Sequence, residues 1–547
     1  MAEGFITILA TKGGQLLGDL LNILFKKGVE DWNRPHEGPK TQAINRQIEN
    51  ENAREADCKT VVMDFISTFG FMTKLVISKE ELGEKIYTDK ITAQELNNEL
   101  FSRMAEIPGT YLGKRHFTNA TLDIKLPYSL RSKHAYIIGR SGSGKTNIIR
   151  TMAMQDIFFG CGVGVIAPEA ELLTEELLPY IPENRIDDIV YVNPDDRQNP
   201  ISLNPLHMNE GESIDDKVEE FTTLFKRAVG ETGHRMDDLL DHTLYALINR
   251  KGSNLEDIPR FLSRDNPAFR NEVLRDAPER IRYFFEERYP RMDKDADGPV
   301  VARINRFTRR EAVRNILCQR GRAFNIRKSM DEGKVLLFNL SDGILGNESS
   351  QLLGQIIVSQ IQLATMSRAR IPSSKRRPFY LYLDEFPTFC GVSKDSYAAM
   401  LSRARKYEMG LILASQNTRQ IPEALLEEIF GNVTTFLAFN VSHRDAHKLS
   451  NEYFVDLGVE GEHVPPHEFQ RLDVGQAIAK IGKTVLPLQT VLAPKDYDPA
   501  RAEMIIERSR QNYGNGANWE GKYKQPELKF LPPPEYPDED IDPRRVF

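Results

Sequence analysis

The stretch Gly139-Arg140-Ser141-Gly142-Ser143-Gly144-Lys145-Thr146 determines which fold this chain can adopt. It matches the phosphate-binding Walker A pattern, G-x-x-x-x-G-K-[ST], without a gap. The apolar run at residues 134–138 before it predicts a buried strand, and residues 147–154 after it predict a helix. The motif requires this order of strand, loop and helix, because inward-turned backbone N–H groups and a helix N-terminus together bind phosphate.

Different residues of this motif are expected to bind different parts of a nucleoside triphosphate and its metal ion. Lys145 is expected to neutralise the β- and γ-phosphate oxygens, and the Thr146 hydroxyl is expected to ligate Mg²⁺. The sequence therefore predicts a site for ATP and Mg²⁺. Its nucleotide-binding residues are Gly139, Arg140, Ser141, Gly142, Ser143, Gly144, Lys145, Thr146 and Asn147.

A pair of carboxylates follows a later apolar run. Residues 379–385 read FYLYLDE and end in Asp384 and Glu385, which is a Walker B pattern. In that pattern the first carboxylate holds Mg²⁺ through its water shell, and the second polarises the attacking water. A hydrophobic run ending in two acids is weak alone, but here it accompanies an intact phosphate loop. We predict Asp384 as a metal residue beside Thr146, and Glu385 as a catalytic residue.

Strands and helices alternate around these motifs, which indicates an α/β fold. Short apolar runs at residues 162–167, 189–192, 335–340 and 411–416 are separated by segments with helical spacing. Such alternation predicts a parallel sheet that is covered on both faces. Ligands of these sheets bind beyond the carboxyl ends of the strands, so Gln416 is predicted to contact the γ-phosphate or the attacking water. The alternative is that Gln416 only opens a loop.

Residues 212–328 interrupt the alternation and predict an all-helical insertion between the two halves of the α/β domain. A solvated helix face, a contact to DNA phosphates and a contact to a neighbouring subunit are the interpretations that stay open for the arginines near its end. These arginines are spaced to fall close to one helix face and are Arg303, Arg306, Arg310 and Arg314.

The remaining segments complete the predicted domain organisation. Residues 1–125 are expected to form a small N-terminal accessory domain, and residues 126–211 with 329–510 the P-loop ATPase domain. Residues 511–547 are expected to form an extended, acidic and proline-rich tail. The apolar spacing at residues 16–25 predicts an amphipathic helix with a core, partner-binding or membrane-surface role.

Composition limits the classes of function. The chain has 547 residues and a net charge of −7, so any nucleic-acid contact must use a local basic surface. Its four cysteines are isolated and lack metal-binding spacing, which suits a reducing cytosol. The most apolar N-terminal run, residues 4–25, is interrupted by Lys12 and Asp19 and is not expected to span a bilayer. We therefore expect a soluble cytoplasmic protein without a transmembrane segment.

Together the motifs resemble the HerA–FtsK superfamily of hexameric motors. Within it, they are similar to the cytosolic part of type IV secretion coupling proteins and their TraG-like and HerA-like relatives. The resemblance extends between residues 120 and 515. Besides the phosphate loop, the matching pieces are Arg131-Ser132-Lys133-His134, Leu203-Asn204-Pro205-Leu206, residues 379–386, Arg405-Lys406-Tyr407, residues 411–416, Gly431-Asn432 and Arg444-Asp445-Ala446.

The resemblance implies a RecA-like fold and a homohexameric ring with ATP between subunits. It gives Gln416 a sensor role, and Arg405 the role of an arginine finger that reaches the neighbouring subunit's γ-phosphate. Arg403 and Arg444 are rival fingers, and Arg405 as an ordinary surface charge is the alternative. Two features depart from the family. Residues 168–171 (PEAE) stand where relatives often carry an acidic-Pro-His-like turn, and the transmembrane helices that begin coupling proteins are not recognisable.

Three functions are compatible with these features. The leading hypothesis is an ATP-driven DNA translocase, on single or double strands, with a nuclease, relaxase or secretion-machinery partner. A HerA-like motor that serves a nuclease or effector in DNA end processing or anti-phage defence is the second. An ATPase that energises protein secretion or remodelling without touching DNA is the third. The acidic net charge favours the third, and the arginine-rich segment favours the other two.

Overall fold

The computed structural model of this chain describes residues 49–62, 77, 79–106, 108–116, 121–209, 212–229, 233–293, 296–320, 323–390, 394–455, 462–491 and 498–515. The helix predicted at residues 16–25 and nearly all of the predicted tail lie outside these residues. Within the described ranges, no helix has the length and apolar character needed to cross a membrane.

One large mixed sheet organises the described residues. It contains eleven strands in the order β2-β1-β13-β12-β9-β3-β8-β7-β4-β6-β5, while β10 and β11 form a separate pair. The strands are β1 (Gly109–His116), β2 (Thr121–Pro127), β3 (Ala135–Ile138), β4 (Gly162–Ala167), β5 (Ile189–Val192), β6 (Val335–Asn339), β7 (Phe379–Leu383), β8 (Met409–Ser415), β9 (Thr435–Ala438), β10 (Phe454–Val455), β11 (Glu462–His463), β12 (Gln476–Ile481) and β13 (Thr484–Gln489).

The sheet has a parallel part and an antiparallel part. From β9 to β5 neighbouring strands are parallel, which confirms the predicted α/β fold with a central parallel sheet. Strands β12, β13, β1 and β2 extend it as antiparallel strands beyond β9. The sequence did not predict this extension, because its strands are interrupted by polar residues and lack the continuous apolar runs of the parallel strands.

Helices connect and cover these strands. Residues 49–62 are also helical. The helices with described bounds are α1 (Lys79–Tyr87), α2 (Ala93–Ala105), α3 (Tyr128–Arg131), α4 (Lys145–Phe158), α5 (Glu171–Thr174), α6 (Ile214–Val229), α7 (His234–Ile248), α8 (Asp257–Leu262), α9 (Ala268–Leu274), α10 (Glu279–Tyr283), α11 (Gly298–Thr308), α12 (Glu311–Leu317), α13 (Ile326–Glu332), α14 (Asp342–Leu345), α15 (Asn347–Ser367), α16 (Pro387–Cys390), α17 (Lys394–Arg403), α18 (Glu423–Asn432), α19 (His443–Glu452), α20 (Pro466–Gln470) and α21 (Pro499–Tyr513).

The central strand β3 contributes to two cores, one on each face of the sheet. Tyr136 and Ile138 pack with the helical segment between β5 and β6, whereas Ala135 and Ile137 pack with the helix α4 that follows the phosphate loop. Successive side chains of a strand point to opposite faces, so a strand buried on both sides must be apolar throughout. The fixed position of β3 between two cores in turn fixes the loop that begins at Gly139.

Three predicted domain limits fall inside regular elements. The limit at 125/126 would divide β2, whose backbone pairs with β1 in the main sheet. The limits at 328/329 and 510/511 would divide α13 and α21. Because α1 and α2 pack in the same core as α4, the described part of residues 1–125 is continuous with the ATPase sheet. Every described element of secondary structure between β5 and β6 is helical, from α6 to α13.

Candidate nucleotide-binding site

The phosphate loop lies between β3 and α4 in a conformation that depends on glycine. Gly142 has a φ of 73° and Gly144 a φ of 115°, both in the left-handed region that residues with side chains rarely adopt. Gly144 directly precedes α4, so its N–H and those of the first helical turn surround one volume. This is the geometry that the Walker A pattern predicts for a phosphate cradle.

Lys145 lies folded against the loop. Its Nζ donates to the carbonyl of Gly139 at 2.8 Å and to that of Arg140 at 3.3 Å, and the side chain is 6% exposed. A buried ammonium needs partners that offset the loss of hydration. Here the partners are backbone carbonyls of the loop, so the charge is held at the centre of the cradle.

The two Walker B carboxylates follow β7 beside this cradle. The Asp384 N–H donates to the Ile166 carbonyl at 3.1 Å, which continues the pairing of β7 with β4. Glu385 has a φ of 47°, and its N–H donates to Oδ1 of Asp384 at 3.0 Å. The Glu385 carboxylate lies 3.7 Å from the Lys145 ammonium. The structure therefore brings together the Walker A lysine and the predicted catalytic glutamate.

Burial and, second to it, the neighbouring charge of Glu385 raise the pKa of Asp384 to about 6, against the opposing effect of Lys145. Glu169, which follows β4, adds to this negative field. Sequence reasoning gave Glu169 no role. The available signal was its position just after a strand, since β4 and β7 are neighbours whose carboxyl ends meet at the same edge. Asp384 is buried, Glu385 is half-buried and Glu169 is exposed, and carboxylate oxygens of this kind are ligands that Mg²⁺ prefers.

Gln416 follows β8 at the same edge, and β8 lies between β3 and β7. The segment after it is anchored to α19. Thr418 donates to Oδ1 of Asp445 from its backbone N–H at 3.1 Å and from its hydroxyl at 2.7 Å. Ser442 caps α19 by accepting the N–H of Asp445. Asp445 therefore fixes the loop that carries Gln416, a role that sequence reasoning did not assign.

Backbone contacts close the outer side of the phosphate loop. The Gly475 N–H donates to the Ser143 carbonyl at 2.9 Å, and the Arg140 N–H donates to the Asn440 carbonyl at 2.8 Å. The Asn147 amide donates to the Val491 carbonyl. Asn147, predicted to bind nucleotide, thus bonds within the chain to the segment that follows β13.

The three candidate arginine fingers lie at two different edges of the sheet. Arg405 is on a 3₁₀ turn, Ala404–Tyr407, that leads into β8 from its amino end, and Arg403 ends α17 just before it. Arg444 lies in the first turn of α19, at the carboxyl edge with the phosphate loop. All three are exposed. β8 spans seven residues, about 20 Å, so Arg405 is far from the phosphate loop of its own chain.

The arginine-rich segment differs from the prediction of a single helix face. Helix α11 ends at Thr308 and α12 begins at Glu311, with Arg310 in an extended N-cap conformation between them. Carboxylates face several of these arginines. Arg306 pairs with Glu348 at 3.0 Å, and Arg314 lies 3.7 Å from Glu256. The four predicted DNA-contacting arginines are therefore divided between α11, the break and α12, because the chain turns at residues 309–310.

The comparisons with known proteins agree with this architecture. Residues 378–453 match the family model described as the TraM recognition site of TraD and TraG. No curated protein sequence matches the chain. The solved structure of the plasmid coupling protein TrwB with a non-hydrolysable ATP analogue has a TM-score of 0.51 at 12% identity, covering 73% of this chain and 93% of that chain.

Two further solved structures have similar scores. The unbound monoclinic form of the bacterial conjugative coupling protein TrwBdeltaN70 gives a TM-score of 0.50 at 13% identity, covering 68% of this chain and 87% of that chain. VirB4 of Thermoanaerobacter pseudethanolicus gives 0.48 at 15% identity, covering 71% and 98%. The TrwB structures and the family match confirm the predicted resemblance to TraG-like coupling proteins and the RecA-like α/β fold.

Proposed function

We propose that this chain is an ATP- and Mg²⁺-dependent motor that translocates DNA and assembles as a homohexameric ring. The observation that carries the proposal is the convergence of the phosphate loop, Asp384, Glu385 and Gln416 at one edge of the parallel sheet. The fold shared with the coupling protein TrwB, one of whose structures contains ADP and Mg²⁺, supports the choice of nucleotide and metal.

Each side chain at this edge has a distinct role in the proposal. Lys145 would exchange its loop carbonyls for phosphate oxygens, and Thr146 and Asp384 are the residues that would hold the metal ion. Glu385 accepts a hydrogen bond from the attacking water and orients it. Gln416 lies beside them and responds to the γ-phosphate. When bound, Mg²⁺ supplies charge neutralisation of the phosphates.

A ring accounts for the position of Arg405. In a closed head-to-tail ring, each interface joins two different surfaces of the same chain. The phosphate loop opens at the carboxyl edge, and Arg405 is exposed at the amino edge, about 20 Å from its own loop. Arg405 therefore acts on the nucleotide of the neighbouring subunit, where a cationic donor stabilises transition-state charge. Arg403 shares this edge, while Arg444 does not.

ATP turnover of the purified protein with and without DNA tests the proposal. We expect Mg²⁺-dependent hydrolysis that rises when single- or double-stranded DNA is added, and whichever strand form stimulates more identifies the substrate. The Lys145→Ala protein is the control for contaminating ATPases. If the rate of ATP hydrolysis is the same without DNA, with single-stranded DNA and with double-stranded DNA, the proposal of DNA translocation is wrong and only the ATPase activity remains.

Two observations favour the third hypothesis, an ATPase that acts on protein without DNA. The family match over residues 378–453 is described by recognition of a protein, TraM, and Arg306 and Arg314 face carboxylates of this chain. Exposed ion pairs contribute only about 0–1 kcal/mol, so phosphate can compete for these arginines. The DNA experiment separates the two candidates, since only a translocase responds to added DNA.

A further inference from the structure

His134 occupies a strained and buried position immediately before β3. Its φ is 64°, and only 2% of its surface is exposed. Residues with side chains seldom adopt this left-handed region, and holding one there costs on the order of 1–3 kcal/mol. A strained backbone conformation persists only where the surrounding contacts hold it in place. The contacts of the His134 imidazole therefore show which elements this conformation joins.

Both ring nitrogens of His134 are bonded to the backbone of other elements. The Leu411 N–H, in β8, lies 3.0 Å from Nδ1, and the Leu401 carbonyl, in α17, lies 3.0 Å from Nε2. A backbone N–H can only donate, so Nδ1 accepts and carries no proton. Nε2 then carries the proton and donates to Leu401. The imidazole is thus a neutral bridge between two elements, and burial lowers the pKa of His134 to about 4, in agreement.

The bridge spans the segment that carries the predicted finger. α17 ends at Arg403, the turn Ala404–Tyr407 follows, and β8 begins at Met409. His134 therefore bonds to the chain on both sides of Arg405, four residues before it and six after it. The positive charge of Arg405 is near enough to lower the pKa of the imidazole slightly. The turn is also held from its far side, where the buried Arg368 guanidinium donates to the Tyr407 carbonyl at 2.7 Å and Arg376 donates to the Lys406 carbonyl.

We propose that His134 is a positioning residue of Arg405: it ties both sides of the finger-bearing turn to the start of β3, the strand that leads into the phosphate loop. This inference rests on the proposed function, in which Arg405 serves the neighbouring subunit. His134 touches neither nucleotide nor metal in this account. It acts only through the geometry of the turn, and its loss leaves its own subunit's phosphate loop intact.

His134→Asn is the sharpest variant. Asparagine tolerates the left-handed backbone, and its Oδ1 sits where Nδ1 accepts from Leu411. It is too short to reach Leu401, so the variant releases α17 while keeping the β8 contact. We expect ATP binding to be unchanged and hydrolysis to fall on the order of 10²-fold, the scale of an error of about 1 Å in positioning. His134→Gln, whose Nε2 extends further, should regain part of the loss.

Gln155→Ala is the matched control. Gln155 is 2% exposed and bonds both backbone groups of Tyr111 in β1, at 2.8 and 2.9 Å. Its removal breaks both contacts to Tyr111, whereas His134→Asn breaks the one to Leu401. We expect a loss of stability at least as large as that of His134→Asn, with hydrolysis unchanged below the unfolding transition. Equal losses of hydrolysis in Gln155→Ala and His134→Asn would overturn the proposal, since the effect would then follow stability.

A double-mutant cycle separates this inference from the function on which it rests. Combining His134→Asn with Arg405→Ala should lower hydrolysis no further than Arg405→Ala alone, because both act through one side chain. Losses that multiply would overturn the positioning role while leaving Arg405 as the finger. An Arg405→Ala protein with wild-type turnover would instead overturn the finger assignment, and this inference with it.

Discussion

The two edges of the parallel sheet differ in their functional side chains and in the contacts that hold those side chains. The carboxyl edge gathers Lys145, Asp384 and Glu385 into a cluster in which the charges lie within reach of one another. The amino edge has one buried imidazole and an exposed arginine, with no acidic partner in the described contacts of that imidazole. The difference is that the charges of the carboxyl edge face one another within the chain, while the amino edge presents an arginine outward.

Lys145→Ala should produce the largest effect, because it removes the positive charge at the centre of the carboxyl edge. We expect ATP turnover to fall to background and ATP binding to weaken, measured by phosphate release and by equilibrium binding of a labelled nucleotide. Substantial turnover in this variant would mean that the carboxyl edge is not the site of hydrolysis, and the contrast between the edges would lose its basis.

Arg405→Ala tests the amino edge in the same assay. Hydrolysis should fall by about 10³-fold or more, as for other arginine fingers, while ATP binding stays largely intact. Mixing this protein with Lys145→Ala should restore activity that neither has alone, because mixed interfaces join a working loop to a working arginine. The recovery should grow with protein concentration. If mixed rings form and remain inactive, the finger is Arg444 or Arg403, to be tried by the same mixing.

Glu385→Gln should have a smaller effect within the carboxyl edge. The amide can still lie beside Lys145 but cannot act as a base, so we expect normal ATP binding and hydrolysis lowered by roughly 10²-fold or more. Single-turnover kinetics measure this step directly. Unlike Arg405→Ala, this variant should not be rescued by Lys145→Ala, because both lesions disable the loop side of the interface. Rescue would mean that Glu385 acts on the nucleotide bound by the neighbouring subunit.

Replacing Arg306, Arg310 and Arg314 by glutamate tests whether a third surface contacts DNA. We expect weaker DNA binding on every sequence and a flatter dependence of the logarithm of affinity on the logarithm of salt. Each lost duplex phosphate contact lowers that slope by roughly 0.9. ATP turnover without DNA should be unchanged, since the described ion pairs of these arginines go to Glu348 and Glu256 and to no residue of the phosphate loop or the Walker B pair. An unchanged slope would assign these arginines to the intramolecular ion pairs with Glu348 and Glu256.

The smallest effect concerns the stability of the amino edge. The pKa of His134 is lowered to about 4 from an ordinary 6.5, so between these values the unfolded chain binds more protons than the folded one. Stability should therefore fall as pH falls from about 6.5 to about 4, by up to about 3 kcal/mol from this residue. His134→Gln should lack that contribution in urea unfolding. Identical pH dependence in both proteins would mean that folding does not lower the pKa of His134.

The sequence predicted the carboxyl edge far better than the amino edge. Lys145 and Asp384 belong to patterns with fixed spacing on strands buried on both faces, whose apolar runs are continuous and easy to recognise. Arg405 could be named only by resemblance, because the edge on which it lies depends on strand order. The left-handed conformation of His134 could not be predicted either, since sequence reasoning reserves such positions for glycine.

The misjudged segments have related causes. Helical spacing through residues 303–314 is unbroken, but the chain turns at Arg310, so periodicity overestimated the helix. The limit at residue 125 was placed just before the first recognisable α/β pattern, whereas hydrogen bonding of β1 with β13 joins residues far apart in sequence. Contacts of this kind, and the role of Asp445 in holding the Gln416 loop, depend on tertiary structure and leave little local signal.

Strand β3 is only four residues long, about 13 Å, with the phosphate loop at one end and His134 at the other. Pairing with β8 on one side and β9 on the other holds these two ends at a fixed separation. In a ring, displacement of the loop by nucleotide would be transmitted along β3 to the arginine that serves the next subunit, so that each site reports its state to one neighbour and not to the other. Hydrolysis would then proceed around the ring in one rotational sense, and its rate would depend sigmoidally on ATP concentration. Loss of the hydrogen bond from His134 to Leu401 would make that dependence less sigmoidal.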